Sequence, residues 1–178
     1  FGEPCIIARN LAAGMPDSYG ATIIGTRMKT TPDMAAFVNG TTARCAEMND
    51  IYELHNRPKA RGGHPSDMLM PVLAAAEHAR ASGREFITAA VLAYEVYMRT
   101  VDATTLPGFD YANYVSLGVA AAAGKLLGLS QTQLAHCISM AVVPNNALGQ
   151  GRTALEQREH LAQREGSRDR IEFVSAFR

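Results

Sequence analysis

The chain reads as an all-α protein, a mostly helical bundle with a short β-hairpin near its N-terminus, and three observations predict this. Small apolar residues run from about 113 to 127, with Ala120 to Ala123 at the centre and Gly128 at the end, which suits a buried helix that its neighbours approach closely. Ser130 stands three residues before Gln133, with Leu129 and Leu134 on either side, the pattern in which a capping box and a hydrophobic staple open a helix. Strand-like runs are confined to the first thirty residues.

The elements follow in order. Residues 5–9 (Cys5 to Arg9) and 21–25 (Ala21 to Gly25) are short apolar runs separated by Gly14, Pro16, Asp17 and Gly20, and are expected to be the strands of a small hairpin. Thr31-Pro32-Asp33 opens a helix, with Thr31 as N-cap and Pro32 at the first helical position. It runs through Met34, Ala35, Phe37 and Val38 towards Met48, with Gly40 as a weak point. Residues 53–63 are polar and hold Pro58, Gly62 and Gly63, so a mobile loop is expected. The next helices cover about 67–81, stopping at Ser82-Gly83, then about 84–100 and about 113–127, with an irregular stretch at 101–111 around Pro107 and Gly108. In the helix after Ser130, the residues Leu134, Cys137, Ile138, Ala141 and Val142 recur at the spacing of a core-facing stripe, and Pro144 ends it. The organisation is thus a helical domain over 1–150 and, over 151–178, a charged tail leading to a short helix with Ile171, Phe173, Val174 and Phe177.

Composition narrows the function. Lys+Arg and Asp+Glu are both 17 in 178 residues, and this balance argues against nucleic acid or an anionic membrane surface as partner. Hydrophobic residues make up 47%, but no run approaches a membrane span. Cys5, Cys45 and Cys137 are scattered and form no metal-type pair, which points to a reducing, cytoplasmic setting. His55, His78, His136 and His160 fall into no ligand spacing, so no metal is expected. The start, Phe1-Gly2-Glu3-Pro4, has neither a signal-peptide pattern nor a methionine, so the natural N-terminus is expected upstream.

Gly63-His64-Pro65-Ser66-Asp67 is the stretch richest in chemistry. Proline disfavours the α region for the residue before it, so His64 is held in an extended or turn conformation at the mouth of a helix, where Ser66 and Asp67 suit the unpaired N–H groups. A histidine fixed beside a helix N-terminus is placed to act as base or acid on a small anion near neutral pH. Asp50 is the candidate to orient it or to act as its acid–base partner. Tyr52 and Tyr111 can donate to a substrate oxygen, Arg152 can clamp a carboxylate, and Asn49 and Ser66 complete the substrate-binding set. Each has a plainer reading: His64 as a turn residue, Asp50 as a helix end, the tyrosines as packing, Arg152 as a solvated charge. Lys125 reads as a complement to a helix C-terminus, and Met68, Met70 and Met140 as core filler.

Five stretches in their order and spacing resemble the MmgE/PrpD family, which includes 2-methylcitrate dehydratase, cis-aconitate decarboxylase and iminodisuccinate epimerase. They are Ala36-Phe37-Val38-Asn39-Gly40, Asn49-Asp50-Ile51-Tyr52, Gly63-His64-Pro65-Ser66-Asp67, Tyr94-Glu95-Val96, and the run from Ala122 to Ser130. The resemblance extends from about residue 8 to about 150. It implies an all-helical large domain in a homodimer, a small di- or tricarboxylate substrate, no iron–sulfur cluster or other obligatory cofactor, and a site centred on His64 and Asp50. Family chains are longer and add an α/β lid domain, so the resemblance implies that the lid and the family's first helix are not among these 178 residues. Many members carry a lysine after an Arg-Thr pair, where Arg152-Thr153 is here followed by Ala154-Leu155-Glu156. Several place a histidine where Tyr111 stands. The resulting reading is a lyase, a dehydratase or decarboxylase of a compound such as 2-methylcitrate or cis-aconitate, working by acid–base catalysis without a cofactor. Two alternatives stay open: a catalytically inactive helical module that dimerises or binds a ligand, and an epimerase or isomerase of an amino-dicarboxylate.

Overall fold

The computed structural model describes residues 2–53, 62–104 and 110–142. Its elements are α1 (Glu3–Ala13), β1 (Pro16–Thr22), β2 (Lys29–Thr30), α2 (Pro32–Arg44), a 3₁₀ turn (Pro65–Met68), α3 (Leu69–His78), α4 (Gly83–Ala103), α5 (Ala112–Leu126) and α6 (Gln131–Val142). β1 and β2 form an antiparallel pair with an irregularity between Pro16 and Ala21. The fold is therefore mostly α with one short hairpin near the N-terminus. Among the described residues no helix is long and apolar enough to cross a membrane.

The first expected strand is a helix. Pro4 sits in the first turn of α1, Glu3 gives that turn an acidic residue, and Cys5, Ala8 and Ala12 are its buried residues, a spacing of three and four. Ile6 and Ile7, whose adjacency reads as a strand, are both 52% exposed. The hairpin forms instead between 16–22 and 29–30, so only Ala21 and Thr22 of the expected second strand belong to it.

Helix α2 starts at Pro32 as expected, although Thr31 makes no side-chain capping bond to it. It ends at Arg44 rather than near Met48, because Glu47 takes a left-handed conformation (φ 50°) and returns its N–H to the Arg44 carbonyl. The helix expected over 67–81 begins as the 3₁₀ turn and stops at His78, just before Arg80 turns left-handed (φ 54°). Ser82 opens the next helix: its hydroxyl accepts from the Glu85 N–H while the Glu85 carboxylate accepts from the Ser82 N–H. The Ser130–Gln133 capping box forms as expected. The stripe of α6 is half-buried rather than core: Leu134, Cys137, Ile138 and Ala141 are partly covered and Val142 is exposed. Pro144, Arg152, residues 151–178, and positions 54–61 and 105–109 of the expected loops at 53–63 and 101–111 lie outside the described residues.

The main core joins α3, α4 and α5 through Met68, Val72, Ala89, Ala93, Tyr97, Val101, Tyr114 and Ala122. Fully burying side chains such as Met68 and Val72 stabilises by about 1.5–3 kcal/mol each. The small residues of α5 are buried as their composition suggests: Gly118, Ala120, Ala121, Ala122 and Gly124. A Cβ at Gly118 would lie 2.8 Å from the Ala93 carbonyl oxygen and closer still to the Met68 sulfur, so α4 and α5 meet at a distance only glycine allows.

A second, smaller core holds Ala8, Ala12, Ile23 and Val38. Polar side chains stitch it together. Buried Asn39 accepts from the Ile24 N–H (3.0 Å) and donates to the Thr22 carbonyl (2.9 Å), fixing the hairpin to α2. Thr30 donates to the Met15 carbonyl at 2.6 Å, and Glu77 of α3 accepts from the Thr22 N–H at 2.5 Å.

Candidate functional site

The site forms where the chain between α2 and the 3₁₀ turn folds back on α4 and α5. Tyr52 and Gly62-Gly63 pair as an antiparallel bridge: the Tyr52 N–H donates to the Gly63 carbonyl at 2.9 Å and the Gly62 N–H to the Tyr52 carbonyl at 3.0 Å. Tyr97, fully buried on α4, donates its hydroxyl to the Gly62 carbonyl. Gly63 adopts φ 71°, and a Cβ there would run into the Tyr111 ring and the Tyr97 hydroxyl. This pins the backbone immediately before His64.

His64 is extended (φ −116°, ψ 93°), as its place before Pro65 requires. It stands at the N-cap of the 3₁₀ turn, yet its side chain makes no capping bond. Its Nδ1 lies 2.5 Å from the backbone carbonyl oxygen of Asp50. A carbonyl oxygen only accepts, so Nδ1 carries the proton and Nε2 of the neutral ring keeps its lone pair. Tyr111 meets the imidazole edge-on, with ring centres 5.6 Å apart and planes at 80°.

Asp50 does more than present a carbonyl. Its Oδ1 accepts from the Ser66 N–H at 3.0 Å, which caps the 3₁₀ turn from 16 residues away in the chain. Its Oδ2 accepts from the Tyr94 hydroxyl at 3.0 Å. The sequence suggests that Asp50 orients His64, and the geometry does this through the main chain while the carboxylate is occupied elsewhere. Asn49 donates to the Ser66 hydroxyl at 3.3 Å. The turn is further tied to α2 by Arg44, whose Nε is 3.6 Å from Asp67.

His64, Asp50, Asn49, Ser66 and Tyr111 thus come together. Tyr52 reaches the same place through its backbone, but its hydroxyl donates to both carboxylate oxygens of Asp102 at 3.0 and 2.9 Å. That bond raises the Tyr52 phenol above its ordinary range. Arg152 lies outside the described residues. Lys125 is exposed in the last turn of α5, Met68 is core, and Met140 is 66% exposed rather than core filler. Among the described residues no group of three or more His, Cys, Asp and Glu side chains is placed to hold a metal.

Three residues without a sequence-assigned role belong to the site: Tyr94, Tyr97 and Arg44. Burial pushes the phenols of Tyr94 and Tyr97 well up, and for Tyr94 the bond to Asp50 adds to it, so both stay protonated donors. The available signal was aromatic spacing: Tyr94 and Tyr97 are three apart on α4, hence on neighbouring parts of one helix face. Beside the site a cavity of about 370 Å³ opens between α2 and α3, with Phe37, Arg44, Asn49, Ser66, Asp67 and Met70 on its wall.

A family profile for the MmgE/PrpD N-terminal domain matches residues 2–167. The chain is 31% identical over 163 residues to a probable 2-methylcitrate dehydratase of Saccharomyces cerevisiae, covering 83% of this chain and 31% of that protein. It is 29% identical over 141 residues to 2-methylcitrate dehydratase of Escherichia coli K12, covering 72% of this chain and 28% of that protein. Cis-aconitate decarboxylase of Homo sapiens is 32% identical over 122 residues, which cover 62% of this chain and 24% of that protein. The chain therefore spans between about a quarter and a third of the length of these curated relatives. With a profile match over nearly its whole length, the chain belongs to the MmgE/PrpD family and corresponds to its N-terminal domain.

Proposed function

We propose that this domain carries the acid–base group of a lyase acting on a small di- or tricarboxylate, of the dehydratase or decarboxylase type that its relatives' names describe. The observation that carries the reading is the bond from His64 Nδ1 to the Asp50 carbonyl, which leaves Nε2 as a base. In a dehydration, Nε2 takes the proton from the carbon next to a carboxylate, the C–H electron pair becomes the carbon–carbon double bond, and the hydroxyl on the neighbouring carbon leaves as water with a proton from an acid. In this reading Tyr111, whose ring meets the imidazole edge-on, supplies the hydroxyl donor to a substrate oxygen. In a decarboxylation the same imidazole, once protonated, returns a proton to the carbanion left by carbon dioxide. Cofactor-independent acid–base chemistry is part of this reading.

The test is a thermal-shift panel of small polycarboxylates, 2-methylcitrate and cis-aconitate among them, on the parent and on His64→Ala. A ligand held only by the folded protein raises the melting temperature, by an amount equivalent to about 2.7 kcal/mol at a hundred times its Kd. The expected result is a shift in the parent that His64→Ala lacks, with circular dichroism unchanged. Turnover of the stabilising compound that survives His64→Ala sinks the assignment.

A second reading is a carboxylate-binding module without turnover. It is favoured by Arg44 on the cavity wall shared with Asn49 and Ser66, whose buried Nη1 has no hydrogen-bond partner among the described residues and can donate to a carboxylate. That reading predicts stabilisation by a polycarboxylate in both proteins and no product from either.

A further inference from the structure

We propose that Tyr94 is a positioning residue of this site: its hydroxyl, by anchoring one oxygen of the Asp50 carboxylate, holds the Asp50 carbonyl on His64 and so sets which imidazole nitrogen is free. This rests on the reading of His64 as a base through Nε2.

The argument begins with what holds Asp50. It is an exposed residue in a stretch of irregular chain, between the end of α2 at Arg44 and the 3₁₀ turn at Pro65. The main chain is bonded to Gly62 and Gly63 two residues on, at Tyr52. Asp50 itself is held by its side chain, through two donors on one carboxylate: the Ser66 N–H on Oδ1 and the Tyr94 hydroxyl on Oδ2, each at 3.0 Å. Both are charge-assisted bonds, stronger than neutral ones. They come from different elements, the 3₁₀ turn and α4, so together they fix the carboxylate in direction as well as place. The Asp50 carbonyl is three bonds from the carboxyl carbon, and it meets His64 Nδ1 at 2.5 Å.

Tyr94 is a rigid anchor. It sits on a 21-residue helix locked at its start by the Ser82–Glu85 box, directly after Ala93, which is buried against α5. Burial and the bond to Asp50 both raise its phenol, which keeps the donor proton in place throughout the neutral range. With the phenol removed, one of the two anchors on Asp50 is gone, the carbonyl is freer to turn, and the imidazole loses the acceptor that selects the Nδ1–H form.

The experiment is nitrogen-15 NMR of the His64 ring in the full chain, at a pH above its titration. In the parent, Nδ1 gives a protonated and Nε2 an unprotonated resonance. Tyr94→Phe keeps the ring and deletes the hydroxyl, and is expected to shift the tautomer ratio towards Nε2–H by about fivefold, the factor one ordinary hydrogen bond is worth. In an Asp50→Ala background the same substitution is expected to add nothing, since both changes act on one contact. An unchanged tautomer ratio in folded Tyr94→Phe overturns the proposal. So does an equal shift in both backgrounds, which would mean that Tyr94 acts elsewhere. Should Tyr94→Phe fail to fold, Asp50→Ala reads the same device, because both donors then lose the carboxylate that ties them to Asp50. A His64 that stays fully Nδ1-protonated there also overturns it. These readouts need no substrate. A tautomer that responds as expected, in a protein that no polycarboxylate stabilises, supports the positioning role and removes the lyase reading.

Discussion

The two halves of the molecule lean on different contacts, although each also uses the other kind: Tyr97 bonds the Gly62 carbonyl, and Gly20 sits against the Thr30 carbonyl. Around Gly62–His64, α4 and α5 close on the chain through absent side chains: Gly63 fits under Tyr111 and Gly118 under the Ala93 carbonyl. In the N-terminal half, α1, the hairpin and α2 are joined by side chains that reach the backbone, with Asn39 bonded to Thr22 and Ile24 and Thr30 to Met15. Packed contacts fail when an atom is added, because the interior is already near crystal density. Stitched contacts fail when an atom is removed, because a buried amide or carbonyl is left without a partner. The same conservative exchange to alanine therefore acts by addition in one half and by subtraction in the other.

Gly63→Ala is the most damaging exchange. It combines a left-handed conformation, costly by about 1–2 kcal/mol outside glycine, with a clash against Tyr111 and Tyr97, so a loss of about 3 kcal/mol in denaturant midpoint analysis is expected. Asn39→Ala follows at about 2 kcal/mol, read by the same method, through two lost bonds to part-buried backbone groups of Thr22 and Ile24. Gly118→Ala is the sharpest test of the contrast. In an open helix it stabilises by about 1 kcal/mol, but against the Ala93 carbonyl it is expected to destabilise by about 1 kcal/mol. A stabilised variant would show that α4 and α5 can move apart and that the packed half is softer than described.

The Ser82 cap belongs to neither half, and Ser82→Ala should cost about 0.5–1 kcal/mol. Its partner gives the smallest effect, one of pH. The Ser82 N–H and then the Ser82 hydroxyl hold the Glu85 carboxyl below its ordinary value. A carboxyl lowered in the folded state stabilises above the ordinary glutamate pKa of about 4.3, and that contribution fades as the pH falls through the folded-state value. In melting curves from pH 7 to pH 3, the gap between the parent and Glu85→Gln is expected to close on the acid side.

The sequence showed the fold best where a signal was local. The Ser130–Gln133 spacing marks a helix start with residues that touch each other across one turn, and Thr31-Pro32 marks one through the proline at its first position. Ser82 and Glu85 carry the same signature, but Ser82-Gly83 reads equally well as a stop. Helix α1 was hidden because its buried face is made of Cys5, Ala8 and Ala12, while the bulky Ile6 and Ile7 that suggest a strand face outward. In the site, His64, Asp50, Asn49 and Ser66 were legible because their contacts span only 14 to 17 residues around one turn. Tyr94 and Tyr97 were not, since their partners lie 44 and 35 residues away and no pattern in a single chain encodes that distance. The Tyr52 hydroxyl was misplaced for the same reason, its acceptor Asp102 being 50 residues on.

The fit of Gly63 beneath Tyr111 and Tyr97 has a kinetic consequence. The main chain leading into His64 is already immobilised by groups of α4 and α5, so an incoming molecule has little ordering of that segment to bring about. Under the proposed function, capture at the imidazole is expected to be governed by diffusional encounter, with an observed rate in a stopped-flow experiment that rises linearly with ligand concentration instead of levelling off at the speed of a rearrangement.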